Sequence, residues 1–187
     1  MQTVETPKFS VRKARPEEFS AAGEMAVEVY ANLAGMPTLV EQPEYYNRLR
    51  DVGLRASNPA ISVYVAVTQI GQLLGTVDFI DDMKHYGSGG SAGTVPDAAG
   101  IRLLAVGPEH RRMGIGKHLT EFCIKRAGSL GKSGVILHTT RAMQTAWGMY
   151  ERMGFTRFPE IDFMQGKLEV FGFQLDLRPS DKLQGET

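Results

Sequence analysis

The chain holds a single cysteine, Cys123, among 187 residues. That excludes an internal disulfide, and no second Cys or His stands at a zinc-site spacing from any of its four histidines, so no metal is expected. Charge of one sign is also missing. With 21 Lys and Arg against 21 Asp and Glu there is no global positive field, and nucleic acid is not an expected partner. No apolar run approaches the ~18 residues of a membrane span, and Met1 to Ser10 has no positive start followed by an apolar segment. The expectation is a soluble cytoplasmic protein with no membrane partner. Repeats and interdomain linkers are absent too. The length therefore fits one domain over 1–187, with loose tails at 1–8 and 179–187.

What is present reads as alternating strands and helices. Phe9 to Arg15 alternates and predicts a strand, and Pro16 opens a helix with Glu17 and Glu18 in its first turn and an apolar face running to Leu33. A second helix is predicted from Glu44 to Ala56. Ile61–Val67 and Leu73–Ile80 flank a short Gly-containing turn and predict a hairpin. From Asp81 to Gly100 apolar periodicity is lost and Gly87, Gly89, Gly90 and Gly93 appear, which reads as a long mobile loop, either a lid or a plain connection. His85 within it reads as solvated surface. Beyond the centre of the chain, a helix to about Leu130 carries Cys123 on an apolar stripe, so this thiol reads as core and not as a nucleophile. A strand over Gly134–Thr139, a helix over Arg141–Met153, and strands near Thr156–Phe158 and Val170–Leu177 complete the pattern.

The most informative stretch is Ile101 to Leu119. Leu103, Leu104, Ala105 and Val106 form a near-continuous apolar run, as in a strand covered on both faces. After Gly107-Pro108 comes Arg111-Arg112-Met113-Gly114-Ile115-Gly116-Lys117. Gly114 and Gly116 permit a sharp turn with bare amide N–H groups just where a helix starts, and a helix N-terminus favours an anion. Arg111, Arg112 and Lys117 add charge suited to a polyphosphate. By contrast Gly128 to Ser133 only imitates a nucleotide P-loop, because Arg126 stands where a glycine is required.

Arg111-x-x-Gly114-x-Gly116 after a strand ending Leu-Ala-Val resembles the pyrophosphate loop of the GNAT superfamily of N-acetyltransferases. Ala146-Trp147-Gly148-Met149-Tyr150 with Gly154-Phe155 is similar to that family's second signature. The resemblance implies an α/β fold with a mixed, mostly antiparallel central sheet flanked by helices on both faces. It implies acetyl-CoA as cosubstrate and an amine acceptor as partner, and leaves a homodimer open. By the same resemblance, Leu104, Ala105 and Val106 pair through their backbone with the pantetheine arm. Arg112, Met113, Gly114, Ile115, Gly116 and Lys117 hold the pyrophosphate, with Arg111 and Arg112 screening it. Tyr150 is implied as the general acid, and a phenol beside the departing thiolate suits that task chemically. Met143 stands where members often carry Asn, which puts one polar contact to the cofactor in doubt.

The reaction expected is direct attack of a primary amine on the thioester. Asp78, Asp81, Glu109 and His138 are candidates for the base, none separated from the others by sequence, and His138 reads better as buried in a satisfied hydrogen bond. The resemblance draws the acceptor pocket from Tyr30–Tyr46, the glycine-rich loop and the turn around Glu160–Lys167. A different class of function, a non-catalytic acyl-CoA sensor on the same fold, is the alternative.

Overall fold

β-Branched and aromatic residues build the sheet of the computed structural model, which describes residues 8–179. The tails expected at 1–8 and 179–187 lie, apart from Lys8 and Pro179, outside the described residues. The strands are β1 (Phe9–Lys13), β2 (Ile61–Thr68), β3 (Leu73–Ile80), β4 (Ala98–Val106), β5 (Gly134–Thr139), β6 (Thr156–Arg157), β7 (Phe163–Gln165) and β8 (Leu168–Asp176). The α-helices are α1 (Phe19–Ala31), α2 (Pro43–Arg50), α3 (Val52–Ala56), α4 (Ile115–Ser129) and α5 (Gln144–Arg152).

Strand order is β1-β2-β3-β4-β5-β8-β6, with β7 paired to β8. Every pair is antiparallel except β4 with β5, whose parallel run requires a crossover, and α4 supplies it. Successive side chains of a strand point to opposite faces. Accordingly Leu103 and Ala105 pack with α1 residues such as Ala26 and Tyr30, whereas Leu104 and Val106 pack with Ile115 and Leu119 of α4. β2 repeats the pattern: Val63, Val65 and Val67 lie with Ala22 of α1, and Tyr64 and Ala66 lie with α4. Helices thus cover both faces of a mostly antiparallel sheet, as expected.

Four local expectations are corrected. The helix expected over Glu44–Ala56 is broken at Asp51, whose backbone leaves the helical region and whose carboxylate accepts from the Leu54 N–H at 2.9 Å. Arg55 fixes the break by donating to the Arg48 and Leu49 carbonyls and to Asp78. The stretch 81–100 is not a featureless connection: Met83, Tyr86 and Ala92 are buried, Met83 and Ala92 each open a short 3-10 turn, Met83–His85 and Ala92–Thr94, and Tyr86 caps the first of them. The central strand begins at Ala98, because Ala98–Ile101 pairs with Gly134–Leu137, and at Gly100 a Cβ would occupy the space of the Tyr86 ring. α5 starts at Gln144, after a turn closed by the Met143 N–H on the Thr140 carbonyl at 3.0 Å.

Candidate active site

The parallel pair supplies the opening. β4 and β5 share hydrogen-bonded register only from Ala98↔Gly134 to Ile101↔Leu137, so from Arg102 to Val106 the β5-side edge of β4 has no strand partner among the described residues. A bulge bends β4 at the same place: between Arg102, opposite Asp78, and Ala105, opposite Thr76, β4 has two residues where β3 has one. Leu103 takes up the extra length at φ 53, a left-handed conformation that leucine adopts only under tertiary constraint. From the α1 side, the Tyr30 hydroxyl donates to the Leu104 carbonyl at 3.1 Å. On the facing side of the opening, the hydroxyls of Thr139 and Thr140 are buried without a partner among the described residues. Bare backbone on one edge and orphaned hydroxyls on the other are the groups an extended polar ligand would bond.

At the mouth of the opening lies the glycine loop. Arg112 and Gly114 both have positive φ, 65 and 75, and the turn they make delivers the chain into α4 at Ile115. The first amide bond of this terminus is the His118 N–H on the Gly114 carbonyl at 3.0 Å. The amides of Ile115, Gly116 and Lys117 precede it and have no partner among the described residues, with the positive end of the helix behind them. A Cβ at Gly116 would lie 3.6 Å from Val106, 3.7 Å from the Met149 sulfur and 3.8 Å from Leu104. The free end of β4, the start of α4 and the middle of α5 therefore meet at Gly116. Among these residues Met113 is half exposed, whereas Ile115 is buried and anchors the loop.

Tyr150 follows Met149 on α5 and is buried, its ring 5.6 Å from that of Phe155 in an edge arrangement. Burial pushes the phenol pKa well above its ordinary value, with Tyr86 and Cys123 adding to the effect. It is protonated at neutral pH. Cys123 is buried in the same core and its thiol is likewise raised by burial, in keeping with its reading as core.

A cavity of about 80 Å³ lies beside the bulge. Its walls include Tyr30, Met36 and Tyr45 from the α1–α2 segment, Ser88 from the glycine-rich stretch, and Phe163 and Gln165 of β7, the three regions named from sequence. Tyr86, Arg102, His138, Thr139, Thr140 and Leu168 are also among them. His138 is held at both ring nitrogens: Nε2 lies 2.8 Å from the Ile161 carbonyl, so it carries the hydrogen, and Nδ1 lies 3.1 Å from the Tyr86 hydroxyl, which shares its one hydrogen between this nitrogen and the Ile101 carbonyl at 3.4 Å. Burial lowers its pKa. Asp78 is equally engaged, its Oδ2 2.6 Å from Arg55 Nε, and burial raises its pKa against the pull of that guanidinium. The side chain of Glu109 is 83% exposed. Sequence reasoning passed over Arg102, although a charged residue inside an apolar strand run was a signal for it. Tyr86 and β7 lie inside regions named from sequence, but the buried packing of the one and the strand pairing of the other were not expected.

This architecture recurs among solved structures. A GNAT-family acetyltransferase of Staphylococcus aureus Mu50 superposes with a TM-score of 0.69 at 16% identity, over 91% of this chain and 99% of that one. The PaiA N-acetyltransferase of Thermoplasma acidophilum, solved in complex with coenzyme A, gives 0.67 at 18% identity, over 88% and 97%. These likenesses define the class of fold, one shared with solved acetyltransferases. The sequence profile of the acetyltransferase (GNAT) family matches residues 26–155, and the chain belongs to that family. A mycothiol acetyltransferase of Arthrobacter sp. (strain FB24) is 35% identical over 102 residues, which are 54% of this chain and 29% of that protein. Another, from Pseudarthrobacter chlorophenolicus, is 35% identical over 77 residues, 41% of this chain and 24% of the relative. The chain spans less than a third of the length of these two relatives.

Proposed function

We propose that this chain transfers the acetyl group of acetyl-CoA to a primary amine by direct attack on the thioester, with Tyr150 as general acid. The observation that carries it is the meeting at Gly116 of a bare helix terminus, an unpaired strand edge and the helix that bears Tyr150. The backbone of Leu104, Ala105 and Val106 pairs with the pantetheine arm. Backbone N–H groups from Arg112 through Met113, Gly114, Ile115 and Gly116 to Lys117 hold the pyrophosphate, and the side chains of Arg111, Arg112 and Lys117 offset its charge.

Acetyl-CoA supplies an acetyl carbon activated by its thioester. The acceptor amine, with an ordinary pKa near ~10, loses a proton before its nitrogen lone pair bonds to that carbon. A β4 amide N–H polarises the carbonyl. As the carbon–nitrogen bond forms the carbon–sulfur bond breaks, and its electron pair leaves on sulfur. Tyr150 donates its phenolic hydrogen to that sulfur. The engagement of Asp78 and His138, the exposure of Glu109 and the position of Asp81 outside the cavity walls favour water as the route by which the nitrogen's proton departs.

The test is coenzyme A release over a panel of polyamines, aminoglycosides, amino acids and peptides. Turnover with one class supports the reading. Tight acetyl-CoA binding with no turnover across the whole panel contradicts it and favours a sensor of the same fold.

A further inference from the structure

Arg102 has no part in the transfer described above, yet it occupies the apex of the opening. It follows Ile101, the last residue of β4 that pairs with β5, and it lines the inner cavity with Tyr30, Tyr45, Tyr86 and His138. A guanidinium presents five N–H donors. The half-buried side chain of Arg102 uses one, donating from Nη1 to the Tyr86 carbonyl at 2.5 Å, and its Cζ lies 5.3 Å from the centre of the Tyr86 ring. Among the described residues it forms no ion pair. The acid opposite it in the β3–β4 register is Asp78, and that carboxylate is bonded to Arg55. Two guanidinium groups thus share at most one negative charge. The other titratable walls do not correct this, since His138 is neutral with both nitrogens engaged and burial keeps the phenols of Tyr30, Tyr45 and Tyr86 protonated. A half-buried cation with unmatched donors calls for an anion.

We infer that Arg102 binds a carboxylate of the acceptor, so that the acceptor is a free α-amino acid or an amine of that type. The inference rests on the proposed transfer reaction and names its substrate class. Size agrees. The inner cavity of about 80 Å³ is well above the ~10–15 Å³ that a single water requires and has room for the amino and carboxylate head. The remainder of the substrate extends into an outer groove of about 470 Å³, which shares Met36 and Leu168 with the inner cavity. A polyamine brings cations against Arg102, and a peptide amino terminus lacks the adjacent carboxylate.

The experiment compares each standard amino acid with its own carboxamide, and both with spermidine, on the wild-type chain. Coenzyme A release gives kcat/KM, and calorimetry in the presence of coenzyme A gives affinity without turnover. The preferred amino acid exceeds its carboxamide by roughly 10- to 100-fold in both readouts, the range of charge-assisted hydrogen bonds. Arg102→Gln brings that ratio towards one while acetyl-CoA affinity stays within about threefold. Amino acids that bind through Arg102 without being acetylated support this assignment and count against the transfer reaction instead. Equal or better use of carboxamides or spermidine overturns it with the transfer reaction intact, and absence of amino-acid binding at millimolar concentration overturns it as well.

Discussion

Replacing Tyr150 by Phe deletes one oxygen from a buried ring and leaves its packing against Phe155 in place. Because the hydroxyl has no hydrogen-bond partner among the described residues, the change strands no other polar group. Stability should therefore move by no more than about 1 kcal/mol, the net value of a typical hydrogen bond. The chemistry should suffer far more. A positioned general acid contributes about 10²- to 10⁴-fold, or roughly 3 to 5 kcal/mol of barrier at about 1.36 kcal/mol per decade. The assay has three arms: coenzyme A release for kcat, calorimetry for acetyl-CoA affinity, and thermal unfolding for Tm. The expected variant binds acetyl-CoA within about threefold of wild type and unfolds at nearly the same temperature, while kcat falls at least a hundredfold. Unchanged turnover refutes the acid role. A loss matched by equal losses of affinity or Tm refutes it too, since Tyr150 is then only a packing residue.

Three further outcomes follow from the same geometry. Gly100→Ala sets a Cβ into the Tyr86 ring, and overpacking of this kind should lower stability by about 1 to 3 kcal/mol, read as a fall in Tm. Glu18 is hydrogen-bonded to Arg12 and its pKa is lowered from 4.5 to about 2, so its stabilising contribution is full above pH 4.5 and is lost as pH falls from 4.5 towards 2. Glu18→Gln should remove that acid-side dependence, on the order of 1 kcal/mol for a partly exposed pair, in denaturant titrations across the window. For turnover, a phenol raised above 10 stays protonated to higher pH, so kcat/KM should climb from pH 7 to 9 as the amine deprotonates. A fall within that range would show that the acid titrates lower than this burial implies.

The parts of the site that were legible in sequence are those whose chemistry is local. A glycine pair at a helix start, an apolar run ahead of it and a tyrosine on an amphipathic helix each carry their signal in a few neighbouring residues. The bulge was not legible: Leu103 has positive φ because β3 and α1 hold the strand around it, and nothing about a leucine marks that. Nor was the break at Asp51, which depends on Arg55 reaching Asp78 across 23 residues of chain. The stretch 81–100 read as mobile because Met83, Tyr86 and Ala92 follow no helix or strand period, yet together they cover the start of β4. Arg102 was hidden for a related reason, since its lack of a carboxylate partner among the described residues emerges only once Asp78 is seen bonded to Arg55.

The most direct measurement of the central claim is a crystal structure of this chain with a non-hydrolysable thioether analogue of acetyl-CoA. The account predicts the pyrophosphate on the amides of residues 112–117, the pantetheine arm along the open edge of β4, and the Tyr150 hydroxyl within hydrogen-bonding reach of sulfur. A pyrophosphate seated elsewhere, or a sulfur many ångströms from that phenol, contradicts it.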